Sequence, residues 1–368
     1  MLNKFLSRKK ITWSVMAVWA MVLLASCDKI DDYFPRPGGS KGDLGNLKQI
    51  NLVANKSIYK AKRVDPVLLN AWGLAFSITG APWISAPGAG VTTIYDADGN
   101  AAHPALNIPS PSGPAGGLVT GQVANHVTAS FLLSNGVGAS FIFVGLDGIL
   151  SAWNPAMKTN IEVVKNNVGQ AAYTGLALSH GPDGSYLFAA NVIKGTVDVF
   201  DWAFRPVTDR PFKDPNLPAG YLPFNIHAVE DYLLVTYSKV GPNGRPLKEV
   251  GNGIVNVFTR KGMLVKRFAS EGKLNAPWGV APVPASFFAA GKGQPAILIG
   301  NFGDGKINAY TPDGKFISQL KVNNKVVAID GLWEITLPPA KSIIDQNRLY
   351  FTAGPSDEQD GLFGYLIK

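Results

Sequence analysis

The sequence contains little cysteine and little charge. Its 368 residues include one cysteine, so neither an intrachain disulfide nor a CxxC zinc or redox site can form. Charged residues make up 16% of the chain, against about 25% in an average soluble domain. Glycine and proline are frequent instead, with 40 and 26 copies. Many chain-reversing residues with sparse charge disfavour a helical bundle, and a 46% hydrophobic content disfavours disorder.

The net charge of +8 does not indicate a nucleic-acid-binding protein. Four basic residues stand within the first ten positions, and no acidic residue precedes Asp28. Without residues 1–26 the chain has 30 basic and 26 acidic side chains, a net charge of +4. The remaining basic residues form no block of five or more. We therefore expect no nucleic-acid partner.

The N-terminal 26 residues have the pattern of an export signal. A basic start is followed by 16 uncharged residues, 11–26, which are too few to favour a stable membrane span. The segment ends Leu24-Ala25-Ser26-Cys27, which resembles a bacterial lipobox. This predicts cleavage before Cys27, lipidation of its thiol and membrane anchoring through the acyl chains. The alternative is an ordinary signal peptide with an incidental cysteine.

Residues 27–45 have the composition of a flexible tether. Proline and glycine prevent regular structure there. The early acids Asp28, Asp31 and Asp32 resemble the surface-export signal of lipoproteins in the Bacteroidota, although a plain solvated linker explains them equally well. We expect an exported cell-envelope protein, an outer-membrane lipoprotein that is either surface-exposed or faces inward.

A repeat occupies the rest of the chain, residues 46–368. Glycines recur at intervals of 47 to 58 residues, each followed by an aromatic residue four or five positions later. Short alternating segments such as Thr196-Val-Asp-Val-Phe200 connect the two, as in a β-strand. The pairs are Gly90 and Tyr95, Gly148 and Trp153, Gly195 and Phe200, Gly253 and Phe258, Gly305 and Tyr310, and Gly361 and Tyr365.

A second sequence marker, a glycine or in one case an asparagine, also occurs six times, at a different position within each unit. Six four-stranded units of about 50 residues are typical of a β-propeller, an all-β fold. The sixth unit lacks a fourth strand, and a strand-like segment at residues 49–54 precedes the first unit. We expect this segment to pair into the last blade and close the ring. The marker positions are Gly73, Gly121, Gly175, Asn225, Gly279 and Gly331.

Several segments resemble an uncharacterised family of exported bacterial six-bladed propellers, some with a C-terminal sorting tail. The units are more distantly similar to NHL-type and gluconolactonase-like propellers. The resemblance implies the fold but no established activity, and gluconolactonase-like enzymes imply a metal that polarises a carbonyl. The segments are residues 222–226, 274–279, 299–307, 330–333 and 349–354.

The same resemblance implies acidic side chains in the loops after the second strands of the first three blades. This chain has Ala86, Leu146 and Asn191 there. It also has no GxSxG nucleophile elbow, and its four histidines lack HExxH spacing. These departures favour a binding module over an enzyme.

Residues before or within the first strand of each blade are the candidates for an axial site. Their oxygens would suit a cation such as Ca²⁺, although Asn and Asp before a strand are also ordinary turn residues. Tryptophans beside the second marker would either stack on a sugar or pack between blades. The candidates are Asn70, Asn125, Thr174, Asn225, His227, Asn275 and Asp330.

Two functions remain open at this point. The first is a monomeric, lipid-anchored envelope module that binds a protein, glycan or small molecule. The second is a metal-dependent hydrolase or lactonase with a site on the propeller axis. The scarcity of acidic residues and catalytic motifs favours the first.

Overall fold

The computed structural model describes residues 46–287 and 295–368. The predicted signal peptide, the tether and the lipidated Cys27 lie outside these residues. Within them, no helix has the length and apolar character needed to cross a membrane.

The described residues form six antiparallel blades of four strands each, and the predicted six-bladed β-propeller is confirmed. The sheet of blade 6 has one further strand, which pairs in parallel. Blade 1 comprises Leu74–Phe76, Pro82–Ala86, Val91–Tyr95 and Ala101–Asn107. Blade 2 comprises Val119–Ala124, Phe141–Gly145, Ile149–Trp153 and Glu162–Asn166. Blade 3 comprises Tyr173–Gly181, Gly184–Asn191, Thr196–Asp201 and Pro206–Val207. Blade 4 comprises Tyr221–Val229, Tyr232–Lys239, Ile254–Thr259 and Leu264–Ser270. Blade 5 comprises Pro277–Val283, Ala296–Asn301, Ile307–Tyr310 and Phe316–Gln319.

Blade 6 contains both ends of the repeat. It comprises Leu332–Thr336, Leu349–Ala353, Leu362–Ile367 and the N-terminal strand Lys48–Ala54. Short elements lie outside the six blades. The strand Arg63–Val64 lies beside blade 6, and two hairpins are formed by Pro109–Ser110 with Gly113–Gly116 and by Lys321–Val322 with Lys325–Val326. The 3-10 helices are Ser57–Tyr59, Pro155–Met157 and Ala285–Phe287.

The ring closes as the sequence predicts, through the strand Lys48–Ala54. It pairs antiparallel with Leu362–Ile367, from Lys48 opposite Ile367 to Ala54 opposite Leu362. A main-chain edge that would otherwise be unpaired is therefore satisfied within the same chain.

The buried carboxylate of Asp360 reinforces this closure. It accepts hydrogen bonds from Asn55 Nδ2 at 2.8 Å and from the Tyr59 hydroxyl at 2.7 Å, and it pairs with Lys56 Nζ at 2.7 Å. Burial alone would raise the pKa of Asp360, but these three partners together lower it. The carboxylate is therefore held in its charged form beside the closing strand.

The aromatic residues of the repeat pack between adjacent blades. All six are buried, with exposed fractions from 0% for Phe258 to 9% for Trp153. Between blades 1 and 2, for example, Trp153 packs against Trp83 with ring centroids 4.9 Å apart. Because each sheet is covered on both faces by its neighbours, few strand positions are left for charged side chains, which accounts for the low charge content.

Candidate functional site: the axial cavity

Stacked aromatic rings close one end of the propeller axis. Trp333 lies between Trp72 and Phe302, with centroid distances of 3.6 Å and 4.0 Å and nearly parallel rings. Trp278 and Phe224 pack against Trp333 at 5.7 Å and 5.9 Å. We call these five residues the aromatic plug.

The plug residues are not available to a ligand. Trp72, Trp278 and Trp333 are 4%, 2% and 1% exposed, so stacking on a sugar is excluded in this arrangement. The rings pack on one another at the axis and not only between neighbouring blades. Two indole N–H groups are satisfied locally: Trp333 Nε1 donates to Asn70 Oδ1 at 2.9 Å, and Trp278 Nε1 donates to the Thr174 carbonyl at 3.0 Å.

Directly after the plug, the first strands of neighbouring blades approach too closely for most side chains. A Cβ atom on Gly121 would lie 2.6 Å from the Leu176 nitrogen, and one on Gly279 would lie 2.7 Å from the Trp333 carbonyl oxygen. Glycine recurs at this position because any Cβ there meets the backbone of the next blade.

Blades 4 and 6 depart from this ring of glycines. Strand pairing skips one residue and resumes at Gly175, Asn225 and Gly279 in blades 3, 4 and 5. In blade 6 the register resumes at Ile335, after an irregularity that begins at Leu332. The Glu334 N–H donates to Thr352 Oγ1 at 3.1 Å. The equivalent residue in blade 6 is therefore Glu334, and the spacing-based choice of Gly331 is wrong by three residues.

Below the plug lies a cavity of about 500 Å³. Most of its lining residues are apolar and come from blades 1, 2, 3, 4 and 6, but polar atoms contribute as much of the exposed wall as apolar atoms do. Its polar lining residues are Gln122, His126, His180, His227, Glu334 and Thr336.

Glu334 is a buried carboxyl group in this cavity, with 7% of the residue exposed. Its Oε1 accepts a hydrogen bond from the Ile335 N–H at 3.0 Å. Burial raises the pKa of Glu334 well above its ordinary value, and this one hydrogen bond opposes the shift only in part. The site therefore favours the protonated, uncharged carboxyl.

His227 faces Glu334 from blade 4. Its Nε2 lies 3.9 Å from Glu334 Oε1, 2.8 Å from Asn225 Nδ2 and 3.2 Å from the Trp278 carbonyl oxygen. Burial lowers the pKa of His227 to about 4, although the Trp278 carbonyl opposes this shift. At neutral pH the imidazole is uncharged, so His227 does not balance a negative charge on Glu334.

The other polar lining residues have different roles. Gln122 is used structurally, because its Nε2 donates to the Gly73 carbonyl at 3.1 Å and its Oε1 accepts from Thr92 Oγ1 at 3.2 Å. His126 and His180 are exposed. Burial lowers the pKa of His180, and the positive charges of Arg260 and His126 contribute.

The sequence-based candidates are spread over different parts of the ring. Among these candidates only His227 lines the cavity, and the Asn225 side chain contacts the His227 imidazole. Asn125 comes after the first strand of blade 2 and holds its own loop through the Ala139 carbonyl at 2.8 Å.

The remaining candidates lie around the plug or on the surface. Asn70 and Thr174 contact the plug indoles, and Asn275 is buried with no partner for its Oδ1. Asp330 is exposed and accepts the Ser356 N–H at 2.9 Å. The seven side chains do not converge, and in residues 46–287 and 295–368 no three His, Cys, Asp or Glu residues are placed to hold a metal ion. This donor set does not fit a calcium site.

Glu334, His126 and His180 were missed as candidates. For Glu334 the sequence does contain a signal, because the tryptophans of blades 1, 5 and 6 are followed by Gly73, Gly279 and Glu334. Aligning the units on tryptophan, and not on the nearest glycine, reveals the substitution.

Comparison with known proteins supports the architecture. No family model matches the chain. A protein of unknown function from Bacteroides thetaiotaomicron superposes with a TM-score of 0.54 at 10% identity, over 89% of this chain and 74% of that one. A gluconolactonase-like protein superposes with a TM-score of 0.51 at 12% identity, over 91% and 97% of the two chains. The chain has the fold of a six-bladed β-propeller.

The sequence relatives come from a different source than expected. An uncharacterized protein of Acanthamoeba polyphaga mimivirus is 28% identical over 91% of this chain and 89% of its own length. The similarity to six-bladed and gluconolactonase-like propellers is thus supported at the level of fold. These relatives do not support membership of an exported bacterial family, which stays a prediction.

Proposed function

We propose that this propeller is a binding module that takes a small molecule into its axial cavity. The observation that carries the proposal is a cavity of about 500 Å³ next to the aromatic plug, with Glu334 and His227 placed among mostly apolar lining residues. Ligand sites of about 300–1,000 Å³ with a few placed polar groups in an apolar lining are the usual form of such pockets.

A metal-dependent hydrolase is the less favoured function. The likeness to a gluconolactonase-like protein is a likeness of fold at 12% identity. The axial candidates of this chain do not fit a metal site. The cavity instead contains the carboxyl group of Glu334 and the uncharged imidazole of His227. Binding requires only these groups and the shape of the cavity.

A cavity-filling substitution tests the binding proposal. Ala228 lines the cavity and is exposed, so Ala228→Trp should narrow the cavity without disturbing the core. We expect fragments that bind the full chain in ligand-detected NMR to lose at least about tenfold in affinity, or about 1.4 kcal/mol.

Ile193→Trp is the matched control, since Ile193 is 59% exposed and does not line the cavity. It should leave fragment binding unchanged. Fragments that bind both variants equally, or a chain that binds none of a broad fragment set, would contradict the proposal.

We further propose that the module is held at the cell envelope by lipid on Cys27. The lipobox-like segment that ends at the chain's one cysteine supports this, and a second acyl chain makes such anchoring durable. The ligand-binding propeller would then be displayed at the end of the tether formed by residues 27–45.

Cys27→Ala should release the protein from the membrane fraction. Without the thiol no thioether to diacylglycerol can form, so labelled fatty acid should no longer enter the protein. Cell fractionation and labelling of the full chain measure both effects, with Ser40→Ala as the control. Retention of Cys27→Ala in the membrane fraction together with undiminished label would refute lipidation at this residue.

A further inference from the structure

We propose that the axial cavity selects small organic ammonium ions and that Glu334 is their counter-ion. This rests on the proposed function, since it names the class of ligand that the same cavity takes. The argument starts from the partners of the other buried acids.

Other well-buried carboxylates in the described part of the chain have a cationic partner. Asp360 pairs with Lys56 at 2.7 Å, and Asp214, whose side chain is 2% exposed, pairs with Arg267. Burying a carboxylate without such a partner is costly, and for this reason buried acids are usually paired. Glu334 departs from this pattern.

No lysine or arginine lines the cavity in residues 46–287 and 295–368. The titratable side chains that share the cavity with Glu334 are His126, His180 and His227. His227 Nε2 lies 3.9 Å from Glu334 Oε1, and burial keeps this imidazole uncharged at neutral pH. The described residues that line the cavity therefore supply no cation for an ionised Glu334, and a cationic ligand is the partner that would favour its charged form.

The fold itself does not require a carboxyl at this position. Four blades have glycine there, at Gly73, Gly121, Gly175 and Gly279, and the ring packs well with no side chain. An acid that architecture does not need, and that is expensive to bury, is typical of a site kept for function.

The chemistry of the cavity selects an organic ammonium ion over a bare metal ion. A hard metal ion requires several oxygen ligands, and within the described part of the chain no group of three acidic, histidine or cysteine side chains is placed to hold one. An ammonium head needs one carboxylate and can place its hydrocarbon body against the apolar wall. Glu334 Oε1 already accepts the Ile335 N–H, which leaves Oε2 for the head group.

Binding should be coupled to proton release. Burial raises the pKa of Glu334 and an ammonium ion binds to the carboxylate, so a proton leaves Glu334 for solvent as the ion pair forms with a protonated carboxyl. While Glu334 is protonated in the free protein, affinity should rise about tenfold per pH unit. An uncharged ligand of the same shape should show no such dependence.

Isothermal titration calorimetry of the full chain with benzylammonium and with benzyl alcohol tests this. Titrations at pH 6, 7 and 8 in two buffers of different ionisation enthalpy count the protons released. We expect benzylammonium to bind more tightly as pH rises towards the pKa of Glu334, with proton release, and benzyl alcohol to bind with constant affinity. Glu334→Gln should weaken the binding of benzylammonium at least about tenfold more than that of benzyl alcohol, and it should abolish proton release.

Glu271→Gln, at an exposed acid, controls for a general effect of charge and should behave as the unaltered chain. The inference is overturned if the alcohol binds as tightly as the amine without proton release, or if Glu334→Gln leaves amine binding intact. Displacement of the amine by CaCl₂ or KCl through Glu334 would overturn it in favour of an inorganic cation. If the unaltered chain binds fragments, Ala228→Trp blocks that binding, and no amine binds, this inference alone is overturned. If the unaltered chain binds no fragments at all, the proposed function is overturned as well.

Discussion

Trp333→Ala should lower the free energy of unfolding by about 3–5 kcal/mol, the range for removing a fully buried large aromatic side chain. Trp333 is 1% exposed and stacks on Trp72 and Phe302 at 3.6 Å and 4.0 Å, so the rest of the plug cannot collapse into the space it leaves. The substitution also removes the donor to the buried Asn70 Oδ1. Urea unfolding followed by tryptophan fluorescence and by circular dichroism measures the loss.

Trp202→Ala is the matched control for the removal of an indole. Trp202 is 47% exposed and contacts Arg205 at the surface, so its loss should cost within about 1 kcal/mol. Equal destabilisation by the two substitutions would contradict a stabilising role of the aromatic plug.

Asp183→Ala should cost about 3 kcal/mol of stability, because it removes the nearest counter-charge of two buried guanidinium groups and leaves Arg210 with the exposed Asp209 at 4.0 Å. Asp183 pairs with Arg210 at 3.0 Å and with Arg260 at 2.8 Å, and the two arginine side chains are 7% and 9% exposed. The acid lies in the turn between the first two strands of blade 3, whereas Arg260 follows the third strand of blade 4. The pair therefore joins two blades, and chemical denaturation at pH 7 measures its contribution.

The same substitution should reduce the loss of unfolding free energy that occurs as pH falls from 7 to 3. Burial would raise the pKa of Asp183, but the hydrogen bond from Arg210 and the charges of both arginines lower it overall. A carboxyl whose pKa is lowered by folding stabilises the protein above its unfolded pKa of about 4, and this contribution is lost as pH falls through the folded pKa. Unfolding at pH 7 and pH 3 should thus show a smaller difference between Asp183→Ala and the unaltered chain at pH 3.

Asp209→Ala provides the control for Asp183→Ala. Asp209 has an 84% exposed side chain and lies 4.0 Å from Arg210 Nε, so its removal should change stability by less than about 0.5 kcal/mol. A comparable loss from both substitutions, or a difference at pH 3 as large as at pH 7, would contradict the account of the buried pair.

Much of the ring could be predicted from the sequence, because turn glycines and the aromatic residues that follow them are separated by only a few positions. Four of the six turn glycines, Gly90, Gly148, Gly195 and Gly305, have φ between 66° and 77°, a backbone conformation that other residues rarely adopt. The aromatic residue that follows reports the strand period and the packing between blades. The pairing of Lys48–Ala54 with Leu362–Ile367 was also predictable, because the sixth unit was short of one strand.

The candidate site was harder to predict because neighbours in it are distant in sequence. Glu334 and His227 are more than 100 positions apart, and only the ring brings Oε1 and Nε2 to 3.9 Å. Asn125 was chosen for its residue type, yet it lies after its strand and holds a loop. The repeat spacing predicts Gly331 as the equivalent position in blade 6, but the irregular strand register of that blade moves it to Glu334.

The sequence by itself determined the six-unit repeat, its strand period and the strand that closes the ring, since these follow from backbone geometry and from the alternation of side chains. The tertiary structure decided which residues meet at the axis. It stacked the recurrent tryptophans into a plug, and it left one carboxyl in a cavity without a cation. Burial and charge compensation depend on which chain segments surround a group, and for this reason the site was visible only in the folded ring.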